Sequence, residues 1–262
     1  MPPRKALAPG AHAHRVNEHL KTVAHRPWPL PARPWILCFT WHDLLFAHWP
    51  VEPAALRKLV PSQLELDLYD DHAWVGVIPF RMSGVRLRGL PAMPGAANFP
   101  EVNVRTYVRS GGRAGVYFFS LDAASWLACR AARTCYRLPY FHARMSVQSE
   151  NEVVAYRSSR REGPRPAEFR ARYRSVSAPS AAQPGTLEHW LTERYCLFTA
   201  DPAHQVHSAE IHHAPWPLQA AEAEIETNTL AQAAGIRLPD TAPLLHFARR
   251  LDVVVWAPHR VA

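Results

Sequence analysis

Short apolar segments separated by turn residues follow one another from Trp35 towards the end of the chain. Residues 73–80, AWVGVIPF, are apolar at both parities, which is typical of a strand covered on both faces. Segments that are apolar or alternate with period two predict strands. We place them at 35–41, 73–80, 101–109, 116–121, 140–148, 152–160, 167–175, 195–199, 205–213, 244–248 and 251–256.

Two hairpins stand out in this pattern. Valines alternate with polar residues over 101–109, and Ser110-Gly111-Gly112 supplies a turn into VYFFSL at 116–121. The segments 140–148 and 152–160 reverse around Ser149-Glu150-Asn151. Both pairs predict antiparallel neighbours in a sheet.

Helical spacing is confined to a few segments. We predict helices over 53–60 with Pro53 in the first turn, from Asp122 as N-cap through about Cys135, over 187–194 with Thr186 as N-cap, and over 221–234. Many short strands with few helices indicate an α+β fold that is mostly antiparallel β, a large barrel or sandwich with flanking helices.

The first 33 residues have a different composition. They are rich in proline, histidine and arginine, and prolines alternate through Pro27, Pro29, Pro31 and Pro34. This pattern predicts a disordered tail over residues 1–33 that stiffens into extended chain. Residues 34–262 are then a single domain.

Composition and charge narrow the class of protein. At 48% hydrophobic and 20% charged residues, the chain is neither a fibre nor a disordered protein, and no apolar run reaches the roughly 20 residues of a membrane helix.

The net charge of +8 is concentrated in the first 33 residues and in an arginine-rich stretch at 157–174. That stretch lacks the interleaved aromatic residues of single-strand binders, so we interpret it as a solvated hairpin and expect no nucleic-acid partner. The four cysteines match no common zinc spacing, and the first residues hold no apolar signal core, so we expect reduced thiols and a cytoplasmic protein without a membrane partner.

Candidate chemistry lies on one predicted strand. The chain has no GxGxxG, P-loop, GxSxG or HExxH motif, and its 15 histidines show no convergent metal spacing, so we expect neither a cofactor nor a metal. In FPEVNVRTYVR at 99–109, Asn103, Arg105 and Tyr107 share one strand face, extended by Glu101. Facing a lumen, this set suits a small carboxylate or keto acid, because arginine binds carboxylates bidentately. The other interpretation is a polar stripe that faces solvent.

Five segments carry a resemblance to a known family. They are WHDLLFAHWPVEPAALRKLVP, PEVNVRTYVRSGGRAGVYFFSLDA, AARTCYRLPYFHARM, LTERYCLF and IHHAPWPL, spread over residues 41–218. In these segments the chain resembles the YqjF-like family of bacterial proteins, a domain of unknown function, which in turn is similar to the acetoacetate decarboxylase superfamily. The resemblance implies an acetoacetate decarboxylase-like β-barrel with a central cavity, flanking helices and, since such relatives often assemble, a possible homo-oligomer.

The same resemblance implies a position for the chemistry. The decarboxylase uses a lysine Schiff base that follows a proline, and the matching residue here is Tyr140, after Pro139. No lysine occurs beyond Lys58, so Schiff-base decarboxylation at this position is excluded. If Tyr140 points inward, strand alternation places His142 and Arg144 on its face. The resemblance thus implies Tyr140, His142 and Glu101 as catalytic candidates and Asn103, Arg105, Tyr107, Arg133 and Arg144 as substrate-binding candidates.

Three functions remain open from the sequence. One is a lysine-independent enzyme on small oxo or carboxylated compounds, with arginine as the anion anchor and Tyr140 or His142 as the proton carrier. Another is a non-catalytic protein that binds or senses the same anionic ligand. A basic module that contacts nucleic acid or acidic partners is a third, less supported interpretation.

Overall fold

The computed structural model describes residues 20–201, 203 and 205–261. The strands, in chain order, are β1 (Leu37–Val51), β2 (Glu65–Leu66), β3 (Ala73–Leu87), β4 (Phe99–Ser110), β5 (Arg113–Ala123), β6 (Tyr140–Glu150), β7 (Val153–Arg160), β8 (Glu168–Ser175), β9 (Cys196–Ala200), β10 (Val206–His212), β11 (Gln219–Asn228), β12 (Leu244–Val255) and β13 (His259–Arg260). The helices are α1 (Pro53–Arg57), α2 (Trp126–Tyr136), α3 (Leu187–Thr192) and α4 (Leu230–Ala233).

Strand pairing closes on itself twice within the described residues. A nine-stranded mixed barrel runs β5-β6-β7-β8-β11-β12-β1-β3-β4 and back to β5. A second ring of seven strands runs β5-β9-β10-β12-β1-β3-β4 and also returns to β5. Strands β1, β3, β4, β5 and β12 belong to both rings. They are therefore covered on both faces, which explains their long apolar runs.

The two rings have different contents. The nine-stranded ring is filled by a packed core to which β1, β3, β4, β7 and β8 contribute buried side chains, including Leu45, Val77, Val104, Tyr156 and Phe169. The faces of β1, β3 and β4 directed into the seven-stranded ring carry Phe39, Phe46, Ile78, Phe80 and Phe99. These side chains surround a cavity.

Irregularities in the strand pairing set which residues face that cavity. Register shifts in β1 between His42 and Ala47 include Asp43 in the left-handed region, at φ 51°. In β5, Phe119 is the extra residue opposite the step from Val104 to Arg105. Each bulge switches the parity of the strand, so side chains on opposite parities before and after it reach the same side.

Most predicted elements are confirmed, although the strands predicted at 244–248 and 251–256 form the single strand β12. Two further assignments are wrong. Residues 221–234 are not one helix, because β11 occupies 219–228 with alternating burial and only the short α4 follows. Alanine and glutamate favour helices, yet their strict alternation places the alanines inside and the glutamates outside a strand. Asp122 is not an N-cap, because it is buried in β5 and paired with Arg160, whereas Ser125 caps α2.

The N-terminal boundary also differs from the prediction for the residues that are described. Arg26 is buried and donates a hydrogen bond to the carbonyl of Ile211 at 2.7 Å, and Trp28 donates to Glu210 at 2.9 Å. Residues 26–28 therefore pack against β10, and the carbonyl of Arg33 accepts a hydrogen bond from Trp256 Nε1 at 2.7 Å. Residues 1–19 of the predicted tail lie outside the described residues. In the described part of the chain, every helix is too short or too polar to cross a membrane.

Candidate functional site in the barrel cavity

The seven-stranded ring encloses a cavity of about 440 Å³. Each strand of the ring contributes at least one lining side chain, among them Phe39, Phe80, Asn103, Leu121, Leu197, Ile211 and Val255. One end is bordered by α2 and the loop at 88–98 between β3 and β4, and the other is closed by Thr192 and Arg194 at the end of α3. The lining is mostly apolar, so its few polar groups define where chemistry is available.

Glu101 and Tyr140 form a hydrogen-bonded pair in this cavity. Tyr140 is the first residue of β6 and pairs with Leu121 of β5, which brings its hydroxyl within 2.8 Å of Glu101 Oε2. Burial raises the pKa of Glu101 to about 8, although the hydrogen bond from Tyr140 acts in the opposite direction. At pH 7 this carboxyl group therefore holds a proton and is itself a hydrogen-bond donor.

Asn103 and Arg105 follow Glu101 on the same face of β4 and also line the cavity. Asn103 is buried, and its Oδ1 has no hydrogen-bond partner among the described residues. The Arg105 guanidinium donates through Nη2 to the carbonyl of Leu191 at 3.4 Å, whereas its buried Nε has no described partner. No described carboxylate forms an ion pair with Arg105. The interpretation of this face as a solvent-exposed stripe is therefore wrong.

Tyr107 continues the same face but lies outside the cavity lining. It is fully buried beneath α3, where its hydroxyl forms a hydrogen bond with His48 Nε2 at 2.7 Å. Burial lowers the pKa of His48 well below its ordinary value, so this ring is neutral. Contrary to the prediction, Tyr107 is therefore not among the residues that line the cavity, and its hydroxyl is occupied by the protein itself.

The predicted positions of His142, Arg144 and Arg133 in the cavity are also wrong. β6 pairs with the cavity strand β5 only from Tyr140 to His142 and then continues beside β7. His142 accordingly does not line the cavity, and Arg144 is exposed on the outer face of the nine-stranded ring. Arg133 is exposed on α2, where its Nε donates to the carbonyl of Tyr140 at 2.7 Å and its guanidinium pairs with Glu162. Arg133 thus contacts the backbone of a cavity residue from outside.

The structure adds cavity residues that the strand pattern did not identify. Arg194, His213 and Trp216 line the closed end, and all three are buried. Arg194 forms an ion pair with Asp67 at 2.5 Å but keeps a buried Nη2 without a described partner, as does Trp216 at Nε1. Burial lowers the pKa of His213, so this ring is neutral at pH 7. Arg194 lies in LTERYCLF, and the other two residues lie in IHHAPWPL. Both segments carry the family resemblance, but the alternation of apolar and polar residues in them did not indicate a site.

Together the polar groups can bind an anion and move a proton. Arg105 offers a positive charge without a described counter-charge, and Glu101 offers a proton beside Tyr140. Within the described ranges no cluster of three histidine, cysteine or acidic side chains is placed to hold a metal ion. The described lysines, Lys21 and Lys58, are exposed and do not line the cavity.

The closed mixed barrel, its flanking helices and the internal cavity define an acetoacetate decarboxylase-like β-barrel protein. The chain aligns with the acetoacetate decarboxylase of Legionella pneumophila at a TM-score of 0.61 and 14% identity, over 94% of this chain and 95% of that one. It also aligns with the enduracididine biosynthesis enzyme MppR complexed with pyruvate at a TM-score of 0.58 and 11% identity, over 90% of this chain and 93% of that one. Identities this low show the fold alone.

Residues 39–252 match the model of DUF2071, a family described as an uncharacterized conserved protein, and the chain belongs to this family. The chain is 50% identical to the uncharacterized protein YqjF of Bacillus subtilis over 222 residues, which cover 85% of this chain and 91% of that protein. The predicted family and fold are therefore confirmed.

Proposed function

We propose that this protein is a lysine-independent enzyme that takes a small-molecule carboxylate or oxo compound into the barrel cavity. The observation that carries the proposal is Arg105, a guanidinium that lines a mostly apolar cavity and has no described carboxylate partner. Charged groups in such surroundings are normally paired, so an anionic ligand is the natural counter-charge. MppR, which shares the fold, forms a complex with pyruvate, and this supports a carboxylate ligand here.

The Glu101–Tyr140 pair supplies the proposed chemistry. A protonated Glu101 donates a hydrogen bond to the oxo oxygen of the ligand, and Tyr140 holds the other carboxyl oxygen. As Glu101 transfers its proton to that oxygen, a water molecule removes a proton from the adjacent carbon, whose C–H electron pair forms the double bond of the enol. The resulting hydronium ion then returns a proton to the Glu101 carboxylate. General acids of this kind contribute about 10²–10⁴-fold to a rate.

Binding is tested by thermal unfolding with a panel of monocarboxylates and their primary amides. A ligand present at about 100 times its Kd adds about 2.7 kcal/mol to the stability of the folded state. We expect the carboxylates to raise Tm and the amides to have little effect. Arg105→Gln should abolish the difference, whereas the control Arg144→Gln, on the outer face, should preserve it. Equal shifts for both compound classes would count against the anchor.

Catalysis is tested separately, by following deuterium incorporation beside the oxo group in D2O by nuclear magnetic resonance. Glu101→Gln should lower the catalysed exchange by at least about a hundredfold. Stabilisation without any catalysed exchange would instead support the second candidate, a binding protein without turnover. The position of His142 outside the cavity favours that candidate, because it removes one of the two proton carriers expected from the sequence.

A further inference from the structure

The length of the cavity, and the spacing of its polar groups, bear on which carboxylate would fit. Glu101 and Arg105 lie four residues apart on β4, and their partners Phe80 and Gly76 on β3 are spaced equally, so β4 runs without a bulge between them. At about 3.3 Å per residue, their Cα atoms are about 13 Å apart.

The Arg105 side chain does not shorten this separation. Its guanidinium lies 5.7 Å from the ring centroids of both Phe46 and Tyr107, and its Nη2 reaches the carbonyl of Leu191 in α3. Both Tyr107 and α3 lie on the side away from Glu101. A two- or three-carbon acid therefore cannot contact both groups at once.

Burial of the lining residues distinguishes a floor from a mouth. Thr192, Arg194 and His213 are each at most 5% exposed, so Arg105 stands near a closed floor. At the other end the lining side chains Leu90, Met93 and Leu127 are 42–56% exposed. Exposed apolar side chains clustered at the opening of a cavity are typical of a ligand-binding entrance. Glu101 and Tyr140 lie between this apolar mouth and the floor.

The volume agrees with a ligand longer than a keto acid of a few carbons. If each non-hydrogen atom takes roughly 30 Å³, as a water molecule does in the liquid, the cavity of about 440 Å³ holds about 15 such atoms. Because side chains on one face of a strand stand roughly perpendicular to the sheet, the two polar groups are spaced about as their Cα atoms are. Hydrogen-bond contacts of about 3 Å at each end then leave about 7 Å of the 13 Å for the ligand, or roughly six bonds of an extended chain.

We infer that the ligand is an extended oxo acid of about twelve carbons. Its carboxylate binds Arg105 at the floor, its oxo group lies about six bonds away at Glu101 and Tyr140, and its apolar tail runs to the mouth lined by Leu90, Met93 and Leu127. This inference rests on the proposed carboxylate site. It adds the length of the ligand, its orientation in the cavity and the position of its oxo group.

Calorimetric titration with three probes tests the inference by binding alone: 7-oxododecanoate, its isomer 4-oxododecanoate, and the short acid 4-oxopentanoate. The two isomers have the same size and hydrophobicity and differ only in register. We expect 7-oxododecanoate to bind at least tenfold more tightly than its isomer and at least a hundredfold more tightly than the short acid, because each buried methylene tightens Kd about fourfold.

Variants separate the contributions. Glu101→Leu should bring the two isomers to equal affinity, and Ala128→Leu, which narrows the apolar section at α2, should weaken both long acids while leaving 4-oxopentanoate unchanged. Arg144→Gln is the control outside the cavity. Equal Kd values for the two isomers in the unmodified protein would overturn the inferred spacing between the carboxylate and the oxo group. A short acid that binds as tightly as the long ones would overturn the inference and leave the carboxylate site intact. If none of the three acids binds, the proposed function falls as well.

Discussion

Tyr156 donates a hydrogen bond to the backbone oxygen of Glu101, with an O–O distance of 2.7 Å. Tyr156 lies on β7, in the packed core of the nine-stranded barrel, whereas the Glu101 side chain faces the cavity of the other ring. The same hydroxyl lies 3.2 Å from the carbonyl oxygen of Phe80, the β3 partner of Glu101. The core of one ring thus positions the candidate acid of the other.

Tyr156→Phe removes this contact while keeping the ring. We expect a loss of about 1–2 kcal/mol in the free energy of unfolding, because buried carbonyl groups lose a donor. Tyr173→Phe is the matched control, since its hydroxyl donates to the carbonyl of Asp43 at 2.9 Å, away from Glu101. Denaturant titration should show similar losses for both variants, and only Tyr156→Phe should change the deuterium exchange attributed to Glu101. An equal change in exchange for Tyr173→Phe would remove the positioning role.

Glu101→Gln should change how stability depends on pH. The folded protein keeps the Glu101 proton up to a pKa of about 8 because of burial, whereas the unfolded chain loses it above about 4.5. The folded state therefore binds more protons in this window, and its stability falls as pH rises from about 4.5 to about 8, by up to about 1.4 kcal/mol per pH unit.

Denaturant titrations between pH 6.5 and 8 isolate this contribution. Burial lowers the pKa of His42 to about 4, so this histidine acts with the opposite sign, and only below pH 6.5. The slope should flatten in Glu101→Gln and persist in Glu222→Gln, which changes an exposed carboxylate. Parallel profiles for Glu101→Gln and the unmodified protein would mean that the carboxyl is ionised in the fold.

Asp122→Asn should be severely destabilising. Asp122 and Arg160 form a buried ion pair at 2.7 Å that joins β5 to β7, and the substitution leaves the guanidinium without its counter-charge. Loss of one partner of such a pair costs about 3–5 kcal/mol. Glu222→Gln serves again as the control, because its pair with Arg174 is exposed and contributes less than about 1 kcal/mol. Similar unfolding midpoints for the two variants would contradict this difference.

Reductive trapping tests whether any residue of the lysine-free cavity forms a Schiff base. Borohydride added with pyruvate should leave no covalent adduct on a cavity residue, because the lysines of the chain are Lys5, Lys21 and Lys58 and the two described ones are exposed. Mass spectrometry of peptides locates any adduct. A stable adduct at Lys58 that disappears in Lys58→Arg would restore Schiff-base chemistry to this protein.

The sequence predicted the cavity face of β4 because a strand without a bulge keeps its alternation, which placed Glu101, Asn103 and Arg105 together. It did not predict the bulges at Asp43 and Phe119, since they arise from pairing with neighbouring strands. The error at His142 and Arg144 has a similar origin. The alternation of side chains predicts which side of β6 a residue faces. It does not predict that β6 pairs with the cavity strand β5 over only three residues. Arg194 and His213 reach the floor through tertiary packing alone.

The five strands shared by the two rings separate folding from recognition. On one face these strands pack against the hydrophobic core of the nine-stranded ring. That core stabilises the fold, so the seven-stranded ring can contain a cavity. A cavity can thus exist within an otherwise tightly packed protein, and substitution of a few lining side chains can adapt it to a different ligand.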